Sequence, residues 1–245
     1  MDELVVEQHG RVTLIRINRA ERLNAIDVAT AAALRRAFEE LEASDQRAGV
    51  ISGAGERAFS AGADLSDVPE LWRCVPGIGV KLTKPLVAAV NGWCVGGAIC
   101  IAMMADLIVA GESAKFYYPE AKLGFSGGMI TSLAARMPLK LAMEIMLLGR
   151  AVPAERAYQV GFVNTVVPDG APEREALAMA QQLAESAPMV LQSLKRIVND
   201  HVIPKSPIED MLQHQSAIQQ LMNSADAVEG VAAFKEKRKP VFEGR

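Results

Sequence analysis

Two glycine-rich loops and one carboxylate carry the residue types that could do chemistry in this sequence. The loops cover residues 59–65 (FSAGADL) and 91–98 (NGWCVGGA), and the carboxylate is Glu120 in the segment PEAKLG. Small residues let a ligand approach the backbone closely, and a glycine pair that opens a helix presents N–H groups without intrahelical acceptors. Two such N–H groups can hold a developing oxyanion, and a carboxylate can move a proton. Taken singly, each loop could equally be a tight packing turn.

Dinucleotide binding and serine hydrolysis are disfavoured. Residues 53–58 (GAGERA) follow a predicted strand and fit the G-x-G-x-x-A pattern of dinucleotide-binding proteins. That pattern needs a helix that opens at the second glycine, with its N-terminus facing the pyrophosphate. Here another glycine follows at Gly62 and no helical apolar period is present, so an NAD-binding oxidoreductase is only a remote alternative. The sequence has no G-x-S-x-G elbow for a serine nucleophile.

The histidines and cysteines show no pattern of a metal site or a disulfide framework. The cysteines are odd in number, form no CxxC pair and have no histidine near them, so we expect no metal and a reducing compartment. Cys100 is expected to pack inside a buried helix, because no motif nearby would activate it as a thiolate. Each histidine is expected to be solvated or capped. The residues concerned are Cys74, Cys94, Cys100, His9, His201 and His214.

Composition and charge exclude several classes of protein. The 245 residues are 50% apolar and 22% charged, with a formal net charge of −3. The apolar fraction excludes a disordered chain, and the acidic balance disfavours binding of phosphate backbones, so we expect no nucleic-acid partner. The longest apolar stretch, residues 95–105, is shorter than the roughly 18 residues that span a bilayer. The opening residues MDELVVEQHG are acidic where a signal peptide is basic, so we expect a cytoplasmic protein without a membrane partner.

The elements that must position the loops and the carboxylate form an α/β pattern. We expect a hairpin in the first 18 residues, a helix capped by Asp27, and a loop over residues 53–64. A strand–helix–strand order around the second loop predicts parallel pairing and an α/β core. Buried strands are predicted at residues 49–52, 85–90 and 106–110.

The later part of the chain has mostly helical spacing from Gly127 onward. Glycine or proline separates the successive helical segments. We therefore predict a core of residues 1–190 that holds the site, followed by a C-terminal helical region of residues 191–245. The predicted helices lie at residues 139–149, 154–161, 173–186, 188–201 and 207–222.

The order of the motifs resembles the crotonase superfamily, also called the enoyl-CoA hydratase/isomerase superfamily. The resemblance covers essentially the whole chain, and so many ordered motifs make a chance match negligible. The motifs are RAERLNAI (19–26), AFSAGADL (58–65), KPLVAAVNGWCVGG (84–97), ADLIVAGESAKF (105–116), PEAKLG (119–124), LLGRAVPAERAYQVGFVNTVV (147–167) and DAVEGVAAFKEKRKPVFEGR (226–245).

The resemblance implies a fold, a substrate and a set of site residues. The fold is the α/β crotonase (ClpP-like) type, a superhelical core of repeated ββα units with a C-terminal helical region that forms trimers, which often pair into hexamers. The implied substrate is an acyl-CoA thioester, and no further cofactor is expected. The family's oxyanion-hole N–H groups map onto Ala63 and Gly97, and its acid/base carboxylate onto Glu120. Its CoA contacts map onto Arg22, Ala25, Ala61, Asp64 and Leu65, and onto Phe234 and Lys237 from the tail of a neighbouring subunit.

The chain departs from the two-carboxylate hydratases of the family at one position. Those enzymes place a Glu three residues after the second oxyanion glycine, where this chain has Cys100. We therefore expect Glu120 alone to move the proton, in double-bond isomerisation or hydration of an enoyl-CoA. The alternative is a non-catalytic acyl-CoA-binding or assembly protein of the same fold. Segments 64–84 and 124–129 also look short for the family, which should alter the acyl pocket.

Overall fold

The computed structural model describes residues 3–124 and 126–244, and its strands form two sheets. The strands are β1 (Leu4–His9), β2 (Val12–Ile17), β3 (Ala48–Gly53), β4 (Ala58–Ser60), β5 (Leu86–Val90), β6 (Trp93–Val95), β7 (Leu107–Gly111), β8 (Lys115–Tyr117), β9 (Val152–Pro153) and β10 (Thr165–Val167). The large sheet has the order β1-β2-β3-β5-β7-β10, and the small sheet the order β4-β6-β8-β9. The pairs β1–β2 and β8–β9 are antiparallel, and the other neighbours are parallel.

Helices connect the strands and dominate the chain after residue 127. Short 3-10 helices lie at Ala20–Arg22, Leu71–Cys74 and Met129–Ala135, and a π-helical turn at Val198–Val202 extends the seventh α-helix. The α-helices are α1 (Val28–Ala43), α2 (Gly97–Met104), α3 (Glu120–Leu123), α4 (Leu139–Leu148), α5 (Ala154–Gln159), α6 (Pro172–Glu185), α7 (Pro188–Ile197), α8 (Pro207–Met222) and α9 (Ala225–Glu236).

One arrangement of strands and helices repeats along the chain. Each unit sends a first strand into the large sheet and a shorter second strand into the small sheet, and then closes with a helix. The units are β3–β4 with the 3-10 helix Leu71–Cys74, β5–β6 with α2, and β7–β8 with α3. This is the ββα repeat that the sequence resemblance implied. Because the second strands are neighbours, the segments that follow them meet at one edge of the small sheet.

The predicted N-terminal hairpin and the helix after it are confirmed. Strands β1 and β2 pair with His9 opposite Val12, and Gly10 turns the chain with a φ of 63°. Helix α1 begins after Asp27, whose Oδ1 accepts the N–H of Thr30 at 2.8 Å. A side-chain acceptor at this position satisfies an N–H that has no partner within the helix.

The large sheet is buried on both faces, which explains its almost unbroken apolar strands. On one face, Leu14 and Val50 pack with Ala180 of α6. On the other face, Ile15 and Ile51 belong to the main core, which α1 and α2 complete. Alternate residues of each strand therefore enter opposite layers.

The structure differs from the predicted layout in its shortest strands. The segment predicted as a loop over residues 53–64 contains β4, and the mostly helical region after Gly127 also supplies β9 and β10. These strands have two or three residues, which is too few to show a period in the sequence. Helix α6 packs on the large sheet, and the domain boundary near residue 190 stays a prediction.

The C-terminal helices expose many apolar side chains. Within the described residues, α9 buries only Ala233. Apolar surface of this extent is typical of an interface. The exposed residues on α8 and α9 include Ile218, Leu221, Met222, Val228, Val231 and Phe234. No helix within residues 3–124 and 126–244 is long and apolar enough to cross a bilayer.

Candidate active site

The two glycine loops lie side by side because the strands that lead into them are neighbours. Strands β4 and β6 pair in parallel, so both loops leave the same edge of the small sheet. A Cβ built on Gly62 would lie 2.7 Å from the carbonyl oxygen of Val95 and 3.4 Å from the nitrogen of Gly97. Gly62 also has a φ of 86°, in the left-handed region. Only glycine meets both conditions without strain, so this residue sets how closely the loops approach each other.

The backbone N–H groups of Ala63 and Gly97 find no acceptor among the described residues. Ala63 forms a parallel bridge with Ile26, in which Gly62 O and Asp64 N make the two hydrogen bonds, both at 2.8 Å. The N–H of Ala63 therefore points away from Ile26. Gly97 is the first residue of α2, where an N–H has no intrahelical acceptor. No hydrogen bond within the described residues uses either N–H, so both predicted oxyanion donors remain available for a ligand.

A cavity of about 330 Å³ joins both loops to Glu120 and Cys100. Its wall is mainly apolar, as is usual for a site that binds a small molecule. Two cavities of similar size, about 310 and 290 Å³, lie beside the C-terminal helices and include none of the predicted catalytic residues. We therefore place the candidate active site in the first cavity. Its lining includes Ala63, Val68, Leu71, Trp72, Gly97, Cys100, Tyr118, Glu120, Ser126, Met129, Ile130 and Leu212.

The carboxylate of Glu120 is buried and only partly hydrogen-bonded. Glu120 begins α3 and is 8% exposed, and its Oε2 has no hydrogen-bond partner among the described residues. Burial raises the pKa of Glu120 to about 7, because the ionised form loses its solvation. Gly96 makes room for this side chain, since a Cβ built there would lie 2.6 Å from Glu120 Oε1. A carboxyl group that titrates near neutral pH can both accept and return a proton.

Position 100 presents a thiol to the same cavity. Cys100 lies one turn along α2 from Gly97 and is 3% exposed. Burial and the nearby Glu120 carboxylate raise the pKa of Cys100, so the thiol stays protonated at neutral pH. A protonated buried thiol fills space and cannot serve as the base. Within the described ranges, no cluster of three or more His, Cys, Asp or Glu side chains could hold a metal ion.

The residues expected to contact CoA beside the first loop form one strip. The N–H of Ala61 donates to the carbonyl oxygen of Leu23 at 2.9 Å, which joins the first loop to the segment before α1. Leu65, at the end of the strip, is 61% exposed. The strip consists of Arg22, Ala25, Ala61, Asp64 and Leu65.

An ion-pair cluster and a buried amide hold this strip in place. Arg19 Nη2 lies 2.8 Å from Asp27 Oδ2 and 3.5 Å from Asp64 Oδ2. Asn24 is fully buried, has a φ of 56°, and donates from Nδ2 to the carbonyl oxygen of Ala58 at 2.8 Å. Sequence reasoning did not assign these positioning roles, although Arg19 and Asn24 both lie in the motif RAERLNAI.

Phe234 and Lys237 lie apart from the strip within the single chain. Phe234 on α9 is 85% exposed, and Lys237 caps that helix in a left-handed conformation. Within the described residues, the Lys237 side chain makes no hydrogen bond or ion pair with the glycine loops. Their contribution to a CoA site from a neighbouring subunit stays a prediction.

The sequence around this site matches one family along almost its whole length. The family model described as enoyl-CoA hydratase/isomerase matches residues 7–245. The chain belongs to the enoyl-CoA hydratase/isomerase family. It is 35% identical to a carnitinyl-CoA dehydratase of Salmonella typhi over 266 aligned residues, which cover 100% of this chain and 99% of that protein. The alignment is longer than this chain, in keeping with the short segments noted in the sequence.

Solved structures similar to this enoyl-CoA hydratase/isomerase family member share its fold. A carnitinyl-CoA hydratase from Mycobacterium avium is 34% identical, with a TM-score of 0.78 and 100% of both chains covered. An enoyl-CoA hydratase from Mycobacterium marinum is 33% identical, with a TM-score of 0.77 and the same coverage. Membership of the crotonase superfamily and the α/β crotonase fold are therefore confirmed, and the chain is an enzyme of this family.

Sequence reasoning about this family member missed the side chains that shape the cavity. Leu71 comes from the 3-10 helix after the first loop and Leu212 from α8, so no local pattern connects them with Glu120. Tyr118 and Ser126 bring hydroxyl groups to the cavity wall. Tyr118 lies next to PEAKLG and could have been found from that position. Phe125, in the turn predicted to be short, lies outside the described residues.

Proposed function

We propose that this enzyme isomerises the double bond of an enoyl-CoA or hydrates it, with Glu120 as its single acid/base group. The observation that carries the proposal is the buried Oε2 of Glu120, which has no hydrogen-bond partner among the described residues and lies in the cavity that Ala63 and Gly97 also line. A thioester carbonyl gains negative charge when its α-proton leaves or when a nucleophile adds at the β-carbon. Both reactions need paired N–H donors and one proton acceptor within reach.

Binding places the thioester oxygen between the N–H groups of Ala63 and Gly97. Each donor is worth about 3–4 kcal/mol of barrier, by analogy with oxyanion holes in acyl transfer. The acyl chain occupies the apolar cavity, and the thioester is substrate, so the proposal needs no further cofactor. The CoA moiety follows the strip Arg22, Ala25, Ala61, Asp64 and Leu65, and Phe234 and Lys237 reach it from another copy of this chain.

Proton transfer then uses the Glu120 carboxylate twice. In isomerisation, Glu120 removes a proton from the α-carbon, the electron pair moves onto the thioester oxygen, and the same proton returns at the γ-carbon. In hydration, Glu120 takes a proton from water while the water oxygen bonds to the β-carbon. Glu120 then delivers that proton to the α-carbon. Both routes balance with one carboxyl group, and a pKa of about 7 suits a group that accepts and donates in turn.

Cys100 weakens hydration of the kind that uses two carboxylates. Hydration by two carboxylates holds the water from two sides, and a protonated thiol cannot supply the second acceptor. The names of the relatives, carnitinyl-CoA dehydratase and enoyl-CoA hydratase, support addition or loss of water at a CoA ester. Loss of water is the reverse of hydration and passes through the same enolate. We therefore keep both isomerisation and hydration within the proposal.

A panel of enoyl-CoA esters tests the proposal. Conjugation of the double bond with the thioester absorbs in the ultraviolet, so hydration removes this absorbance and isomerisation of a 3-enoyl ester creates it. We expect turnover of at least one ester by the native protein and none by Glu120→Gln. No turnover of any ester by the native protein would contradict the proposal.

Cys100 also supports a second candidate, a non-catalytic acyl-CoA-binding or assembly protein of the same fold. This candidate retains the oxyanion loops and has lost one acid/base group. Melting-temperature shifts with CoA, acetyl-CoA and NAD separate the candidates in combination with the ester panel. Stabilisation by CoA esters without turnover would favour the second candidate, and stabilisation by NAD alone would favour an oxidoreductase.

We further propose that the chain assembles into trimers or hexamers. The exposed apolar side chains of α8 and α9 support this assembly, because they lack partners within the described part of the chain. Light scattering after size exclusion should give a mass of at least three chains. A strictly monomeric protein at micromolar concentration would contradict the assembly.

A further inference from the structure

Tyr118 brings a phenol to the wall of the active-site cavity. It follows the last residue of β8 and lies two residues before Glu120. Its side chain is almost fully buried and lines the same cavity as Glu120 and Cys100. Among the described residues that line this cavity, Tyr118 and Ser126 are the ones with hydroxyl groups.

The hydrogen bonds around these two hydroxyls leave one proton unused. Tyr118 Oη lies 2.8 Å from Ser126 Oγ, and Ser126 Oγ also accepts the N–H of Gly128 at 3.0 Å. Two hydroxyls carry two protons, and one proton is used in the bond between them. No other acceptor for either hydroxyl is present among the described residues. When Ser126 donates to Tyr118, the proton of Tyr118 is left to bind a ligand in the cavity.

The charge around Tyr118 keeps this phenol in its protonated form. Burial and the nearby Glu120 carboxylate raise the pKa of Tyr118 to about 12, while the bond to Ser126 lowers it in part. Tyr118 therefore donates at any pH at which Glu120 titrates. Cys100, at the position of the missing carboxylate, offers only a weak S–H donor. Glu120 is the buried carboxylate of the cavity, since Glu70, which also lines it, is exposed and paired with Arg73. Tyr118 brings a neutral O–H donor to the same cavity.

We propose that the Tyr118 hydroxyl, held by Ser126, donates a hydrogen bond to the oxygen that adds to or leaves the β-carbon. This inference rests on the proposed function and assigns Tyr118 to its hydration branch. During hydration the water gives its proton to Glu120, its oxygen forms the bond to the β-carbon, and the proton moves from Glu120 to the α-carbon. Tyr118 keeps its own proton throughout and holds the water in place. Isomerisation involves no such oxygen and does not need this donor.

Tyr118→Phe tests the inference because it removes the hydroxyl and keeps the buried ring. We expect kcat for hydration to fall about ten- to a hundredfold, the scale for removing one well-placed donor, with isomerisation and CoA-ester affinity within about threefold of native. Tyr117→Phe is the matched control, since Tyr117 is adjacent, packs against Trp93 and does not line the cavity. Ser126→Ala should show a smaller loss of hydration, and Ser126→Thr should restore it.

The readout is the ratio of hydration to isomerisation, which a packing role would leave unchanged. Native-like hydration by a folded Tyr118→Phe, or equal loss of both reactions, would overturn the inference. A native enzyme that isomerises enoyl-CoA esters but neither adds nor removes water would overturn it and leave the proposed function standing. A native enzyme that turns over no ester would overturn both. An inactive Glu120→Gln beside a fully active Tyr118→Phe would overturn the role of Tyr118 alone.

Discussion

The proposed oxyanion wall of the cavity is made of backbone, whereas the proposed acid/base wall is made of side chains. The oxyanion wall consists of Ala63 and Gly97, whose N–H groups are positioned by a strand bridge and a helix start. The acid/base wall consists of Cys100, Tyr118, Glu120 and Ser126. A single substitution can change the second wall without moving the fold.

The difference gives a physical reason why the glycine loops match the family's motifs while position 100 departs from the two-carboxylate pattern. Gly62 and Gly96 sit where any Cβ would meet backbone or the Glu120 carboxylate within 2.7 Å. These positions tolerate little besides glycine. Position 100 lies inside a packed helix, where a thiol fits and a larger group fits only with rearrangement. Chemistry in this site therefore changes most readily through the side chains.

The largest expected effect comes from Glu120→Gln, which removes the base and keeps the shape. Turnover should fall at least about a thousandfold, within the range for general acid–base catalysis, while CoA-ester affinity stays nearly native. Steady-state rates and a binding titration measure the two quantities. Glu112→Gln, at an exposed position outside the cavity, is the matched control. Native-like turnover by Glu120→Gln would contradict the role of Glu120 as the base.

A smaller but still large effect is expected from Gly97→Pro on the oxyanion wall. Proline removes the N–H and is compatible with the first position of a helix, so turnover should fall at least about a hundredfold in a folded protein. Gly97→Ala is the control, because it keeps the N–H while its Cβ meets only the tip of Leu71, at 2.8 Å. If the two variants lost activity equally, crowding rather than the N–H would be the cause.

The buried carboxyl group of Glu120 should lower the free energy of unfolding at high pH. The folded-state pKa of Glu120, about 7, lies above its ordinary value of 4.5, so the fold favours the neutral form. The contribution of Glu120 to the free energy of unfolding is then fully present below the pKa of the unfolded state. It is lost as the pH rises through the pKa of the folded state. Glu120→Gln should therefore be more stable than native by about 3 kcal/mol at pH 8 and about equal at pH 4. Denaturant unfolding at both pH values measures this, and a constant difference would count against the buried charge.

Substitutions at Cys100 should have the smallest effects. Cys100→Ala should leave the rate within about threefold of native, because the thiol supplies volume and no proton. Cys100→Glu should raise hydration relative to isomerisation, and the two carboxyl groups should shift each other's pKa. Rates on hydratable and isomerisable esters measure both. An inactive Cys100→Ala would make the thiol part of the chemistry.

The comparison of the two walls also shows what the sequence could predict. The hairpin, the Asp27 cap and the main strands follow from local patterns, and the loops with Gly62 and Gly97 could be found because glycine is required there. Leu71 and Leu212 could not be placed, because they reach the cavity from segments far from Glu120 in the chain. Their positions depend on packing, which no short motif encodes.

The pH dependence of kcat/KM for the native enzyme tests most directly whether the buried Glu120 acts alone as the base. This parameter reports the ionisations of the free enzyme. If Glu120 acts alone, the profile shows a single ascending limb with an apparent pKa of about 7, at which Glu120 loses its proton, and Cys100→Ala shows the same limb. A profile that is flat between about pH 5.5 and 8.5, or a limb that disappears in Cys100→Ala, would contradict it.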